Sequence, residues 1–248
     1  MIFRRLHRDE VFVVGGQPSV TYVDRQEFHV ERTLARAIAA PSQVVSLAGP
    51  TKTGKTVLCR KVLGDREYVW IDAGEIDSID SMWTTVCSEL NIPNERTTSG
   101  ETTNGIEAGL TTPIASAKSS RLRRRTETEK RVVNSLSDAL EALVVDKIIL
   151  VVDDFHYLSP ETRGTFMRNV KGSVFNGLKV VLLSVTHRAF DAIKAESELT
   201  GRFISIALPN WTSEELQQIP KLGFAALHIA FKDDLIKKLA QEAQETRS

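Results

Sequence analysis

Apolar residues along the chain fall into two kinds of run. Five are short, nearly continuous and rich in β-branched residues: Val44-Val45-Ser46-Leu47-Ala48, Tyr68-Val69-Trp70-Ile71-Asp72-Ala73, Lys147-Ile148-Ile149-Leu150-Val151-Val152, Lys179-Val180-Val181-Leu182-Leu183-Ser184-Val185-Thr186 and Phe203-Ile204-Ser205-Ile206-Ala207-Leu208. Runs of that length without alternation predict strands buried on both faces, as in a parallel sheet. Between them, apolar residues recur at three- and four-residue spacing. Phe28, Leu34 and Ile38 predict a helix over 26–40, and Ile79, Met82, Trp83, Val86 and Leu90 predict one over 78–91. Strands alternating with helices imply an α/β fold.

Local signals mark the ends. Pro41 stops the first helix, Gly64 suits the end of a helix over 56–63, and Pro93 follows the helix over 78–91. Ser159 with Pro160 starts another helix, through Phe166, Met167 and Val170. A helix is expected around 191–199. Thr212 and Glu215 form a capping box before Leu216 and Ile219, and 220–223 reads as a turn. Leu235, Ile236 and Leu239 then share one face of a last helix over 232–243, so 210–248 reads as a partial helical lid. Ahead of the core, 1–22 is an N-terminal segment with a short apolar run and a Gly15-Gly16-Gln17-Pro18 turn. The core itself is expected over 23–209.

One stretch departs from this pattern. From 94 to about 120 the chain is rich in Thr, Ser, Gly and Ala and has few large apolar residues, so it buries little surface. It is expected to form either a loop or an extended β-hairpin, inserted in the core over about 94–125. The cluster Arg121, Arg123, Arg124 and Arg125 follows and leads into a helix towards Val144. It reads either as a solvated helix start or as a docking surface for nucleic acid, an acidic partner or a neighbouring subunit.

Composition narrows the function less than the pattern does. In 248 residues, Lys+Arg and Asp+Glu are 32 each, so net charge gives no general attraction to DNA or to acidic membranes. The two cysteines, Cys59 and Cys87, lie in apolar helical stretches and are expected to be packed thiols in a reducing compartment. No run reaches the length of a membrane span and Val11-Phe12-Val13-Val14 is too short for a signal sequence, so a cytoplasmic protein without membrane contact is expected.

The chemistry concentrates at the ends of strands. Gly49-Pro50-Thr51-Lys52-Thr53-Gly54-Lys55-Thr56 satisfies G-x-x-x-x-G-K-[ST] between a strand and a helix. Phosphate chains need inward-pointing N–H groups and gain from the positive end of a helix, which runs on here through Val57. Lys55 is expected to reach the β- and γ-phosphates and the Thr56 hydroxyl to hold Mg²⁺. A second apolar strand ends in Asp153-Asp154. Asp153 is the candidate for holding Mg²⁺ and Asp154 the candidate general base, one methylene shorter than a glutamate and therefore expected to be slow. Polar residues also end the fourth strand, where a hydroxyl or amide could sense the terminal phosphate and Arg188 could offset its charge; His187 reads as an ordinary surface histidine. The segment before the first strand lies over the nucleotide base in many P-loop ATPases, which the loop at 49–56 resembles. That resemblance implies Tyr22, Val23 and Arg25 as candidates for contact with the base, with ordinary packing as the alternative. The guanine-reading N-K-x-D pattern is absent, which leaves ATP as the expected nucleotide.

GPTKTGKT at 49–56, IILVVDD at 148–154, LLSVTHR at 182–188 and GRF at 201–203 together resemble the P-loop ATPases of the AAA+ and STAND superfamily, from about Tyr22 to the end. The resemblance implies a three-layer P-loop NTPase sandwich with a five-stranded parallel sheet of order 5-1-4-3-2 and a C-terminal helical lid. It implies Ser184 or Thr186 as the sensor and Arg202 as a finger reaching a neighbouring subunit. The paired aspartates and the Thr-His-Arg strand end lean towards STAND switches, which use ATP as a latch for oligomerisation and often serve antiviral defence. The lid stops short of a full bundle, so either a partner supplies the rest or the chain is part of something longer. The expected function is an ATP-hydrolysing, homo-oligomeric switch that controls a protein effector. The alternative is a DNA-associated AAA+ ATPase of the loader or transposition-regulator kind, with the arginine cluster on phosphates; a module that binds nucleotide without turnover is a third reading.

Overall fold

The computed structural model describes residues 6–25, 29–92, 135–185 and 201–245. The insertion at 94–125 with its arginine cluster, the helix expected around 191–199, and Thr186, His187 and Arg188 lie outside the described residues. Five parallel strands form the sheet: β1 Val44–Ala48, β2 Tyr68–Asp72, β3 Ile149–Asp153, β4 Val180–Ser184 and β5 Phe203–Ala207. Their order is β2-β3-β4-β1-β5, which from the other edge is the expected 5-1-4-3-2. The register is strict. Val44 faces Val180 on one side and Phe203 on the other, and Tyr68 faces Ile149.

Alternation along each strand divides the core into two layers. Val44, Val69, Leu150, Val152, Val180 and Leu182 pack with Met82, Phe166 and Met167 on one face of the sheet. That face is covered by α4 (Ile79–Glu89), α5 (Ser135–Val145) and α6 (Pro160–Phe175). Val45, Leu47, Ile149, Val151, Val181 and Leu183 pack on the other, beneath α2 (Val30–Ala39) and α3 (Lys55–Leu63). A strand that is apolar at every position therefore serves both layers. Within the first layer the Phe166 ring stacks on Trp83 at 6.0 Å and meets Phe155 edge-on at 5.6 Å. Trp83 is thus core, as its spacing predicts. Cys59 and Cys87 are buried free thiols, and burial pushes the Cys59 thiol up to about 12. No described helix is long and apolar enough to cross a membrane.

The N-terminal segment and the C-terminal helices meet each other. A single helical turn, α1 (Arg8–Val11), is followed by Phe12, whose ring meets Phe224 edge-on at 5.9 Å. Phe224 belongs to α7 (Ser213–Ala226), which packs against α8 (Asp233–Glu245). The turn expected at 220–223 does not form, because α7 runs through it. Leu216, Pro220 and Gly223 are its buried residues at helical spacing, so both breaker residues lie on the packed stripe. A side chain on Gly223 would enter the Phe12 ring, which makes this a packing glycine and not a turn glycine. Tertiary burial has overridden local propensity here. Thr212 and Glu215 do form the expected capping box.

One buried ion pair joins the two ends of the chain. Arg25 Nε donates to Glu215 Oε1 at 2.9 Å, with the two side chains 7% and 9% exposed. Its other nitrogens donate to the Pro209 and Asn210 carbonyls at 2.9 and 2.7 Å. Removing one partner of such a pair leaves a buried charge uncompensated, at a cost of about 3–5 kcal/mol. Arg25→Ala should therefore lower unfolding free energy in urea by about that much, and a loss under about 1 kcal/mol would show the pair to be effectively solvated.

Candidate functional site

The strand tips carry the polar residues. Beyond β1 the loop 49–54 enters α3, with Gly54 at φ 90° and Lys52 at φ 60°. The left-handed conformation at Gly54 is one that a side chain would resist. Gly49 answers a different need: Leu208, just past β5, places its backbone carbonyl where a Gly49 side chain would stand. The neighbouring strand, as well as any phosphate, demands the glycine. Pro50 O accepts from both Thr53 Oγ1 at 2.8 Å and Lys55 Nζ at 2.9 Å, and Gly49 O accepts from Lys55 at 3.0 Å. The Lys55 ammonium is thereby held over its own loop.

Two motifs that lie 97 residues apart meet here. Thr56 Oγ1 donates to Asp153 Oδ2 at 3.0 Å, across the tip of β4, which separates β1 from β3. The contact follows from strand parity. Asp153 shares its side of β3 with Ile149 and Val151, which face α2 and α3. The other carboxylate oxygen accepts from the Asp154 N–H at 2.9 Å. Asp154 itself adopts a left-handed conformation, φ 50°, and opens a 3-10 turn over Phe155–Tyr157. Its half-exposed carboxylate lies 3.8 Å from His156 Nδ1.

A cavity of about 690 Å³ runs along this arrangement, lined by Thr51, Lys52, Gly54, Lys55, Thr56 and Asp154, with Val57 and Val185 also on its wall. Its far side is the 15–18 turn, where Gln17 Nε2 donates to the Val57 carbonyl at 2.9 Å. A smaller, more apolar cavity of about 260 Å³ adjoins it, sharing Val13, Pro18, Lys52, Gly54 and Val57. Tyr22, Val23, Leu208, Trp211 and Ile219 enclose that second space. A polar trough continuous with an apolar pocket suits a phosphate chain joined to a flat ring.

The candidates divide accordingly. The whole loop, Lys55, Thr56, Asp153 and Asp154 come together. Tyr22 and Val23 line the apolar pocket, but the Tyr22 hydroxyl donates to Glu31 at 3.0 Å, and burial and then that carboxylate push its ionisation well above the usual range. Arg25 also lines it, yet its guanidinium is committed to Glu215 and two carbonyls. Ser184 does not join the Thr56–Asp153 pair. It shares a side of β4 with Val180 and Leu182, in the α4–α6 layer, and its buried hydroxyl has no hydrogen-bond partner among the described residues. Arg202 lies at the start of β5, opposite the loop end of the sheet, with its guanidinium 4.2 Å over the Phe175 ring and 3.4 Å from the Ser42 carbonyl. Parallel strands about four steps long place it roughly 13 Å from its own phosphate loop. Gln17 and Trp211 are the residues that sequence reasoning missed; their contacts are remote in sequence and no local pattern marks them.

The AAA domain family profile matches residues 39–187, more than half of the chain. The chain belongs to the AAA domain family. Solved structures similar to this AAA domain include Cdc6p from Pyrobaculum aerophilum, at 17% identity and a TM-score of 0.61 over 94% of this chain and 57% of that one. A Walker-type ATPase of Pyrococcus abyssi matches at 17% and 0.59, over 93% and 66%. The Aeropyrum pernix ORC1 protein in complex with DNA matches at 14% and 0.54, over 88% and 53%. This chain therefore spans between about half and two thirds of the length of these structures. Comparison with curated proteins finds no match. The shared feature is a P-loop AAA+ fold.

Charge at the site works against stability. Burial first, then the neighbouring Asp154, hold the Asp153 carboxyl above its usual range, although the Thr56 hydrogen bond pulls the other way. Burial likewise lowers Lys55, while Asp154 and Asp153 raise it. An acid whose folded pKa exceeds the unfolded one favours folding when protonated, so stability falls as pH rises from the unfolded towards the folded value. Asn at 153 can still accept from the Asp154 N–H and can donate to Thr56. Asp153→Asn should therefore raise the melting temperature at pH 8, and the gain should vanish as pH drops below the folded pKa of Asp153. An equal shift at pH 8 and pH 4 would contradict this.

Proposed function

We propose that this AAA domain binds and hydrolyses ATP and is the nucleotide-driven part of a DNA-associated ATPase, of the loader or transposition-regulator kind. The observation that carries the nucleotide half is the Thr56–Asp153 hydrogen bond at the head of a cavity that opens into an apolar pocket. The residues fit ATP·Mg²⁺: an ammonium, a hydroxyl and a carboxylate converge beside the positive end of α3. Lys55 would leave its loop carbonyls for phosphate oxygens, and Thr56 and Asp153 would hold Mg²⁺, which supplies charge neutralisation at the phosphates. Asp154, on the cavity wall, would take the proton from the attacking water. Arg202, remote from its own loop, suits a neighbouring subunit's site in a homo-oligomer.

The DNA half is supported by the likeness in fold to Cdc6p and to an ORC1 protein solved with DNA. Arg121, Arg123, Arg124 and Arg125 are the nearest thing in the sequence to a phosphate-tracking patch. A STAND-type switch controlling an effector in antiviral defence would use the same phosphate site, but the named structural relatives favour the DNA reading.

Two experiments test this reading. Phosphate release should fall about 100-fold in Asp154→Asn with ATP still bound, whereas Lys55→Ala should lose ATP binding itself. Equal, near-zero release from wild type and Asp154→Asn would instead mark a module that binds without turnover. In gel shifts, wild type should bind DNA with affinity falling steeply with salt, and neutralising Arg123, Arg124 and Arg125 should flatten that slope by up to about three phosphates' worth. No shift at low salt would remove the DNA half.

A further inference from the structure

Arg60 has no part in the reading above, yet it lies on the phosphate cavity. It is exposed on α3, four residues beyond Thr56, and lines the same 690 Å³ space as Lys55, Thr56 and Asp154. Residues at i and i+4 share a helix face, and helical side chains lean towards the N-terminus. Arg60 therefore stands one turn beyond Thr56 on the wall of the cavity. Its guanidinium sits 4.6 Å over the ring of Trp70 on β2, and Trp70 is itself braced edge-on by Tyr68 at 6.1 Å. Arg25 and Arg202 have carboxylate or carbonyl acceptors; Arg60 makes no side-chain hydrogen bond or ion pair with any described residue.

A stacked guanidinium keeps its plane fixed while its N–H edges remain free. Five donors without an acceptor, held rigid at the wall of a trough that already carries an ammonium, fit an anion with several oxygens. We propose that Arg60 is a nucleotide-state-reading residue: its guanidinium, preset by Trp70, hydrogen-bonds the terminal phosphate of a nucleoside triphosphate and so favours triphosphate over diphosphate. The proposal rests on the nucleotide-site reading and deepens it. Lys55 and the loop amides hold the phosphates common to both nucleotides, whereas Arg60 meets the group that only the triphosphate has. Arg60 is thus distinct in position from Arg202, at the opposite end of the sheet.

The test compares equilibrium binding of ADP and of a non-hydrolysable ATP analogue, each with Mg²⁺, to the full chain. Arg60→Ala should weaken the analogue about tenfold while leaving ADP nearly unchanged. Arg60→Lys, which keeps the charge and loses the fork, should fall between the two. Trp70→Leu, which keeps apolar volume and loses the ring, should reproduce part of the loss without touching any ligand. Equal losses for both nucleotides, or an unchanged ratio in Arg60→Ala, would overturn the inference while leaving the nucleotide site intact. An unchanged ratio together with a smaller assembly in Arg60→Ala would assign the guanidinium to an acidic group of a second copy, and the inference would fall. Wild type that binds neither nucleotide would defeat the site reading and this inference together.

Discussion

A single hydrogen bond, from Thr56 Oγ1 to Asp153 at 3.0 Å, ties together two strands that are not neighbours. β4 lies between them, so the contact exists only if three strand tips end level and if α3 starts above the same face that Asp153 points to. Both conditions are properties of the sheet. The register pairs Ala48 with Ser184 and Val152 with Leu182, which brings the three tips to within about one residue of each other. Alternation along β3 turns Asp153 towards α3. A one-residue slip of β3 would send that carboxylate into the α4–α6 layer. The apolar residues that lock the register, such as Val151 and Val181, therefore hold the chemistry in place as firmly as the polar residues do.

The site also opposes the fold that holds it. Lys55 and Asp153 are both shifted towards their neutral forms, chiefly by burial. The carboxylates of Asp154 and Asp153 offset part of that cost for Lys55, and the Thr56 hydroxyl and the Asp154 N–H offset part of it for Asp153, without reversing either direction. The Lys55 ammonium draws on loop carbonyls, and the Asp153 carboxylate on one hydroxyl and one N–H. A polyanion and a divalent cation would relieve both groups, so ligand binding and domain stability are expected to rise together. Two-layer burial on both sides of the sheet lets the core carry such charges at its rim.

Most of the fold was legible because its information is local. Continuous apolar runs, the glycine-lysine loop and the capping box at Thr212 each specify their element within a few residues, and five strands with helices between them leave few arrangements. That the loop 49–54 and Asp153 stand at strand tips was legible for the same reason. What escaped depends on contacts remote in sequence. Pro220 and Gly223 look like a turn until Phe12, some 200 residues earlier, supplies the packing that keeps α7 continuous. Arg25 lines the apolar pocket, but its pairing with Glu215, 190 residues away, is invisible in the local sequence. Ser184 ends its strand in the expected place, but its parity sends the hydroxyl to the other layer, and the resemblance that suggested it carries no information about parity.

The same remote contacts suggest how the ends of the chain and the site act as one body. Glu215 caps α7 through the Thr212 N–H and at the same time receives Arg25, so the start of α7 cannot shift without disturbing the segment before α2. Trp211 lies between them, with the Arg25 guanidinium 4.8 Å over its ring and Gly54 of the phosphate loop beside it. Both Trp211 and Ile219 also face the apolar pocket. A ring entering that pocket would press on one side of the contact that positions α7, while phosphates engage the other end of the same loop. Were phosphates bound at the loop, a contiguous set of contacts would join them to the C-terminal helices, through Gly54, Trp211 and the buried Arg25–Glu215 pair.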